Sequence, residues 1–199
     1  MAAKSSMLRA LLVALCLTLT TACSGEPSKY NFGISVAGGP IGWPVRVEML
    51  TFDNSWGAPG GILRGGFGHN PPGGAIVVLA SPKAAPDSVQ ARWFSYRTQT
   101  FYQIDLPLPE DFSDRVDEWY QKYPEPKYRH YFIVGFSGQG EALVWWRARC
   151  GDCGVDRSED FSTPIVENAQ GNVVEGDPSR YRSQTEHFIS EGLFPSPGE

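Results

Sequence analysis

Alternation of apolar and polar positions dominates the middle of the chain. Val45 to Phe52 places Val45, Val47 and Met49 on one face and Arg46 and Glu48 on the other, as a half-buried strand does. Val89 to Tyr96 sets Val89, Ala91 and Trp93 against Gln90 and Arg92. Thr100 to Leu106 sets Tyr102, Ile104 and Leu106 against Gln103 and Asp105. These two segments predict a hairpin around Arg97 to Gln99. Gly74 to Ala80 is an uninterrupted apolar run and predicts a buried strand. After Pro107 and Pro109 the period changes: Phe112, Val116, Trp119, Tyr120 and Tyr123 form a helical stripe over Glu110 to Tyr123. Glu110 and Asp111 suit the positive end of that helix, and Pro124 and Pro126 end it.

His130 to Phe136 and Glu141 to Ala148 predict a second hairpin through Ser137 to Gly140. Phe161 to Glu167 and Val173 to Glu175 suggest a small third one through Gly171. Asp177 then reads as an N-cap with Pro178 at the first helical position, and Tyr181, Thr185, Phe188 and Ile189 stripe a short helix ended by Gly192. The fold class expected is α+β: a twisted, largely antiparallel sheet of about six to eight strands with two helices packed on it. Between these elements, residues 57–74 hold eight glycines and three prolines. No helix or central strand survives that density, so a mobile surface loop is expected there.

The N-terminus has a different character. Lys4 and Arg9 precede a ten-residue apolar run, Ala10 to Leu19, then Thr20, Thr21, Ala22 and Cys23. The run is too short to span a bilayer as a permanent helix and fits a secretory signal. Small residues before a cysteine predict cleavage there and lipidation of Cys23; an ordinary signal cleaved near Ala22 is the alternative. Cys16 leaves with the signal. Ser24 stands where an aspartate would retain the protein at the inner membrane, so the expected location is the outer membrane, lipid-anchored and facing the periplasm. The expected organisation is a signal peptide (1–22), a lipidated tether (23–30), one globular domain (31–195) and a frayed tail (196–199).

Charge narrows the partners. The full chain carries −5; without Lys4 and Arg9 the mature part carries −7. That balance argues against nucleic acid and against tight binding to anionic lipid headgroups.

Candidate chemistry is sparse. Cys150 and Cys153 form a C-x-x-C after a strand and before turn residues. A thioredoxin-like site wants that pair at a helix N-terminus. Zinc wants two more ligands, and His69, His130 and His187 lack the spacing. A disulfide pinning a tight turn is the expected state, with a small entropic contribution from so short a loop. Ser137 falls one residue short of a G-x-S-x-G elbow and leads into a strand, so it reads as a hairpin residue. Gly66 and Gly68 have no strand-to-helix context for phosphate binding. Asp114, Asp117 and Glu118 read as a solvated helix face. No catalytic residue, metal or cofactor is expected. Adjacent Trp145 and Trp146 must face opposite sides of their strand. Trp43 precedes the first strand; core packing is the expectation for each, and a binding surface the alternative.

Several short motifs occur in order: Gly38-Gly-Pro-Ile-Gly-Trp43-Pro-Val-Arg-Val-Glu48; Val89-Gln-Ala-Arg-Trp93-Phe-Ser95-Tyr; Thr100-Phe-Tyr102; Leu106-Pro-Leu-Pro109; and Phe132-Ile-Val-Gly-Phe136 leading to Ala142-Leu-Val-Trp145. This order resembles a family of bacterial lipoproteins that is itself a domain of unknown function. The resemblance spans about residues 38–147; Cys150, Cys153 and the stretch after them lie outside it. Such lipoproteins are often encoded beside type VI secretion phospholipase effectors. That association implies an immunity protein that binds and inhibits a cognate secreted phospholipase, and it brings no catalytic residues. Exposed loops on a rigid sheet could make the contact. The expected contact residues in and beside the glycine-rich segment are Trp56, Arg64, Phe67, His69 and Asn70. An envelope-structural or ligand-binding lipoprotein without a toxin partner is the alternative, and a periplasmic hydrolase a third reading.

Overall fold

The computed structural model describes residues 26–78, 81–154 and 157–194. The signal segment, Cys23 and the tail 196–199 lie outside the described residues. Within them eleven strands form two sheets rather than one. The strands are β1 (Phe32–Ala37), β2 (Val45–Phe52), β3 (Trp56–Gly57), β4 (Gly61–Leu63), β5 (Ala75–Val78), β6 (Ser88–Ser95), β7 (Thr100–Pro107), β8 (Tyr128–Phe136), β9 (Glu141–Cys150), β10 (Phe161–Gln170) and β11 (Asn172–Val174). The helices are α1 (Phe112–Lys122) and α2 (Arg182–Ser190), the latter entered through a 3-10 turn, Pro178–Tyr181.

The first sheet has the order β10-β9-β8-β1-β5 and the second β11-β7-β6-β2-β3, with β4 also paired to β2. Pairing is antiparallel except between β1 and β8, which run parallel from Phe32↔His130 to Ala37↔Gly135. The sheets face each other across a shared core of Phe32, Ile34, Val36, Val47, Phe52, Trp93, Phe132, Phe136 and Trp146. Phe52 meets Phe132 at 5.7 Å and Trp93 meets Phe136 at 5.0 Å across the gap. Val89, Ala91 and Trp93 of β6 fill this core as their pattern predicts; in β2 Val45 and Val47 do, but a bulge between Val47 and Met49 turns Met49 out to 39% exposure and brings Leu50 and Phe52 in.

One strand was not expected, and two expectations change. β1 has no alternation because all six of its residues are buried; it is a central strand. Ala75–Val78 is an edge strand, with Ile76 48% exposed, not a buried one. The segments flanking Gly171 do not pair with each other: β10 joins β9, and β11 joins β7 in the opposite sheet. The chain changes sheets at Gly171, whose N–H donates to Gly140 O at 2.8 Å. A Cβ there would sit 2.5 Å from the Trp93 indole, so the crossing needs glycine.

The helices occupy different places. α1 starts at Phe112, two residues later than expected, and closes the end of the sandwich where β8 begins. Phe112 and Val116 are buried, and Trp119 stacks on Trp146 with ring centroids 5.8 Å apart. The second helical segment covers the outer face of the second sheet through Phe94, Tyr96, Phe101, Phe188 and Phe194. Asp177 caps its entry as predicted, accepting from the Ser179 N–H at 2.9 Å.

Candidate partner-binding surface

Loops gather at the end of the sandwich opposite α1. Here β1 leads into a tight turn closed by the Trp43 N–H donating to Pro40 O at 2.9 Å, with Gly42 at φ +82°. That backbone suits glycine at the third turn position and lifts Ile41 to 90% exposure. Trp43 is half-buried beneath the Arg97 guanidinium, 4.4 Å from its ring centroid. The glycine-rich segment docks beside this turn. The Gly38 N–H donates to Gly65 O at 3.0 Å, and the Phe67 N–H to Gly38 O at 2.7 Å. The loop closes on itself through the Gly73 N–H to Gly66 O at 3.1 Å. Gly66 has φ +99°, and a Cβ on it would lie 1.6 Å from Gly73 O. The segment is therefore a pinned loop.

The expected contact residues divide. Arg64 reaches α2, 4.6 Å over the Phe188 ring and 3.4 Å from Glu191. Phe67 is half-buried against the outer face at Gly135. His69 and Asn70 are exposed at the loop's tip. Trp56 stands apart, at the far end of β2, half-buried 4.3 Å from Phe52 and 6.4 Å from Phe32. Ile41 was not among the expected contact residues, although the Pro-Ile-Gly-Trp turn signature is readable in the sequence.

The candidate chemical groups serve packing and turns. Ser137 is buried, and its Oγ accepts from the Gln139 and Glu141 N–H groups at 3.2 and 3.0 Å. Asp114 and Glu118 are exposed, while Asp117 accepts from the Tyr30 hydroxyl. Cys150 and Cys153 are bonded to each other, with Cα atoms 5.7 Å apart. Glu159 lies close to both sulfurs, but a disulfide offers no thiolate to a metal. Chain entropy gives so short a loop about 2 kcal/mol at most. Reduction is therefore expected to lower unfolding free energy by no more than that, measured by urea unfolding with and without reductant.

His130 is a buried titratable group. The Trp146 indole N–H can only donate, so at 3.1 Å it fixes Nδ1 as an acceptor. Nε2–H then donates to Tyr123 O at 2.7 Å. Tyr120 stacks on the ring at 3.8 Å. Burial pushes the His130 pKa down, outweighing the Tyr123 carbonyl and Glu125, which favour the cation. Burial likewise raises the Tyr120 hydroxyl, with Glu125 adding to it. The unfolded chain thus binds the His130 proton at higher pH than the folded one. Stability is expected to be full above about pH 6.5 and to fall on acidification, by up to about 1.4 kcal/mol per pH unit, until the lowered folded pKa is reached. Urea titrations of the chain and of His130→Asn between pH 7 and 5 check this; equal slopes would refute it.

The whole is a two-sheet domain with an aromatic core and one loop-rich end. The chain belongs to the family described as "Protein of unknown function (DUF2931)", whose model matches residues 20–196. The match therefore extends past the expected 38–147 and takes in Cys23, the disulfide and α2. No curated protein and no solved structure matches the chain.

Proposed function

We propose that this protein is a periplasm-facing lipoprotein, anchored through Cys23, that acts as an immunity protein by binding and inhibiting a type VI secretion phospholipase. The observation carrying the reading is the loop-rich end: a rigid turn presents Ile41 almost fully to solvent beside Trp43, Arg97 and the pinned glycine-rich loop. An apolar side chain on a preorganised backbone costs little entropy to bind, and Trp and Arg are frequent interface anchors. Inhibition needs no chemistry from the inhibitor, since a rigid projection can fill a cleft or hold a lid. The lipid concentrates the inhibitor at the membrane its target attacks. The test is co-purification of the full-length protein with candidate phospholipase effectors, followed by a lipase assay on a soluble ester. A complex with loss of lipase activity is expected; no complex and no inhibition across the effectors overturns the reading.

A further inference from the structure

Charge is unevenly placed on this acidic chain. The second sheet's outer face is covered by α2, but the first sheet's is open beyond the glycine-rich loop. There Arg129 and Arg149 stand directly opposite each other on β8 and β9. Like charges in that relation repel. They line, with Arg157, an open cavity of about 250 Å³ in which Asp152 is the acidic side chain among the described residues. Of the neighbouring acids, Asp160 binds Arg147 at 2.6 Å and the Cys150 N–H at 2.9 Å, Glu159 binds Lys127 at 2.8 Å, and Glu125, which shares the next cavity with Arg129, accepts from Asn31 Nδ2 at 3.4 Å. Among the described residues none of the three arginines has an ion-pair partner. Among the described residues that line this cavity, three guanidiniums face one carboxylate.

Position says what they face. Tyr30 is fixed by backbone bonds to Lys83 at 2.8 and 3.0 Å and stacks on Tyr120. Asn31 then shares a cavity with Arg129. Cys23 lies seven residues before Tyr30, a span of at most about 25 Å. A lipid on Cys23 therefore holds this end of the domain at the bilayer. β1 carries the chain about 20 Å further before the Ile41 turn.

We propose that the Arg129–Arg149–Arg157 face docks on the phosphate groups of the membrane that holds the anchor, orienting the domain so that the Ile41 end points away. Guanidinium forks match phosphate oxygens in pairs, and a patch of this sign is attracted locally whatever the net charge. The inference shares with the proposed function only the lipid on Cys23.

The experiment uses the full lipidated protein in nanodiscs, with phenylglyoxal modification of each arginine followed by mass spectrometry. In discs of phosphatidylethanolamine and phosphatidylglycerol, Arg129, Arg149 and Arg157 should react at least about fivefold more slowly than in discs of a phosphate-free galactolipid, with Arg182 on α2 unchanged. The double variant Arg129→Ser/Arg149→Ser should leave Arg157 unprotected; if it fails to fold, the wild-type comparison still decides. Equal rates in both discs overturn the proposal. So does equal protection by millimolar inorganic phosphate in galactolipid discs, which would mark a soluble-anion site, or protection that requires the effector, which would give this face to the protein partner. A chain that enters neither disc overturns the anchor and this inference together, whereas unprotected arginines in a chain that does enter overturn the docking alone.

Discussion

Replacing Trp146 with alanine is expected to lower the unfolding free energy by about 4 kcal/mol, the largest single loss predicted for this fold. Trp146 is fully buried and joins three elements. Its ring lies 5.5 Å from Phe32 on β1, 6.0 Å from Phe112 and 5.8 Å from Trp119 on α1, and 6.3 Å from Phe132 on β8. Alanine removes the volume that lets α1 close the sandwich. It also leaves His130 Nδ1 without its donor, so a buried acceptor is desolvated with nothing in return. Two controls separate these effects. Trp146→Phe keeps most of the volume but not the N–H, and should cost about 1–3 kcal/mol. Trp145→Ala, one residue away on the half-buried outer face, should cost less than half of the Trp146→Ala loss. Urea unfolding at pH 7 measures all three. Equal losses at Trp145 and Trp146 would mean the facing of β9 is wrong.

That facing was readable from sequence, because strand geometry puts neighbours on opposite sides; which of the two tryptophans faces in was not. The same limit runs through the fold. Alternation in β2, β6 and β7 states that one side is buried, but not against what, so two facing sheets read as one. β1 escaped notice because Phe-Gly-Ile-Ser-Val-Ala, buried on both sides, has no polar face to alternate with. β10 and β11 looked like a hairpin because they are close in sequence. Gly171 lets the chain pass between the sheets, and only the packing of Trp93 reveals why a glycine is there. Local capping at Asp177 was legible, since its partner is two residues away.

The surface was less legible than the fold. Glycine density predicted a mobile loop, yet the left-handed backbone at Gly66 is what allows the Gly73 N–H to close it. Trp56 lies beside that segment in sequence and at the other end of β2 in space. Net charge argued against anionic headgroups, but an average over the chain cannot report that Arg129, Arg149 and Arg157 converge.

At the opposite end, Ile41→Glu is expected to weaken effector binding at least about 30-fold, the cost of losing one interface hot spot of about 2 kcal/mol. With 90% of its surface exposed, Ile41 gives up almost no packing inside the free protein. Gly42 keeps the turn, so the melting temperature should not move. A carboxylate forced into an apolar cleft would add its own desolvation penalty, which is why glutamate discriminates better than alanine. The contrasting variant is Trp56→Ala. It removes half-buried contacts with Phe52 and Phe32, so it should lower stability yet leave the affinity of the folded fraction unchanged. Titration calorimetry of each purified variant against the effector, beside thermal melts, separates the two. Wild-type affinity for Ile41→Glu would remove this turn from the interface and leave His69 and Asn70, at the tip of the pinned loop, as the side chains to test next.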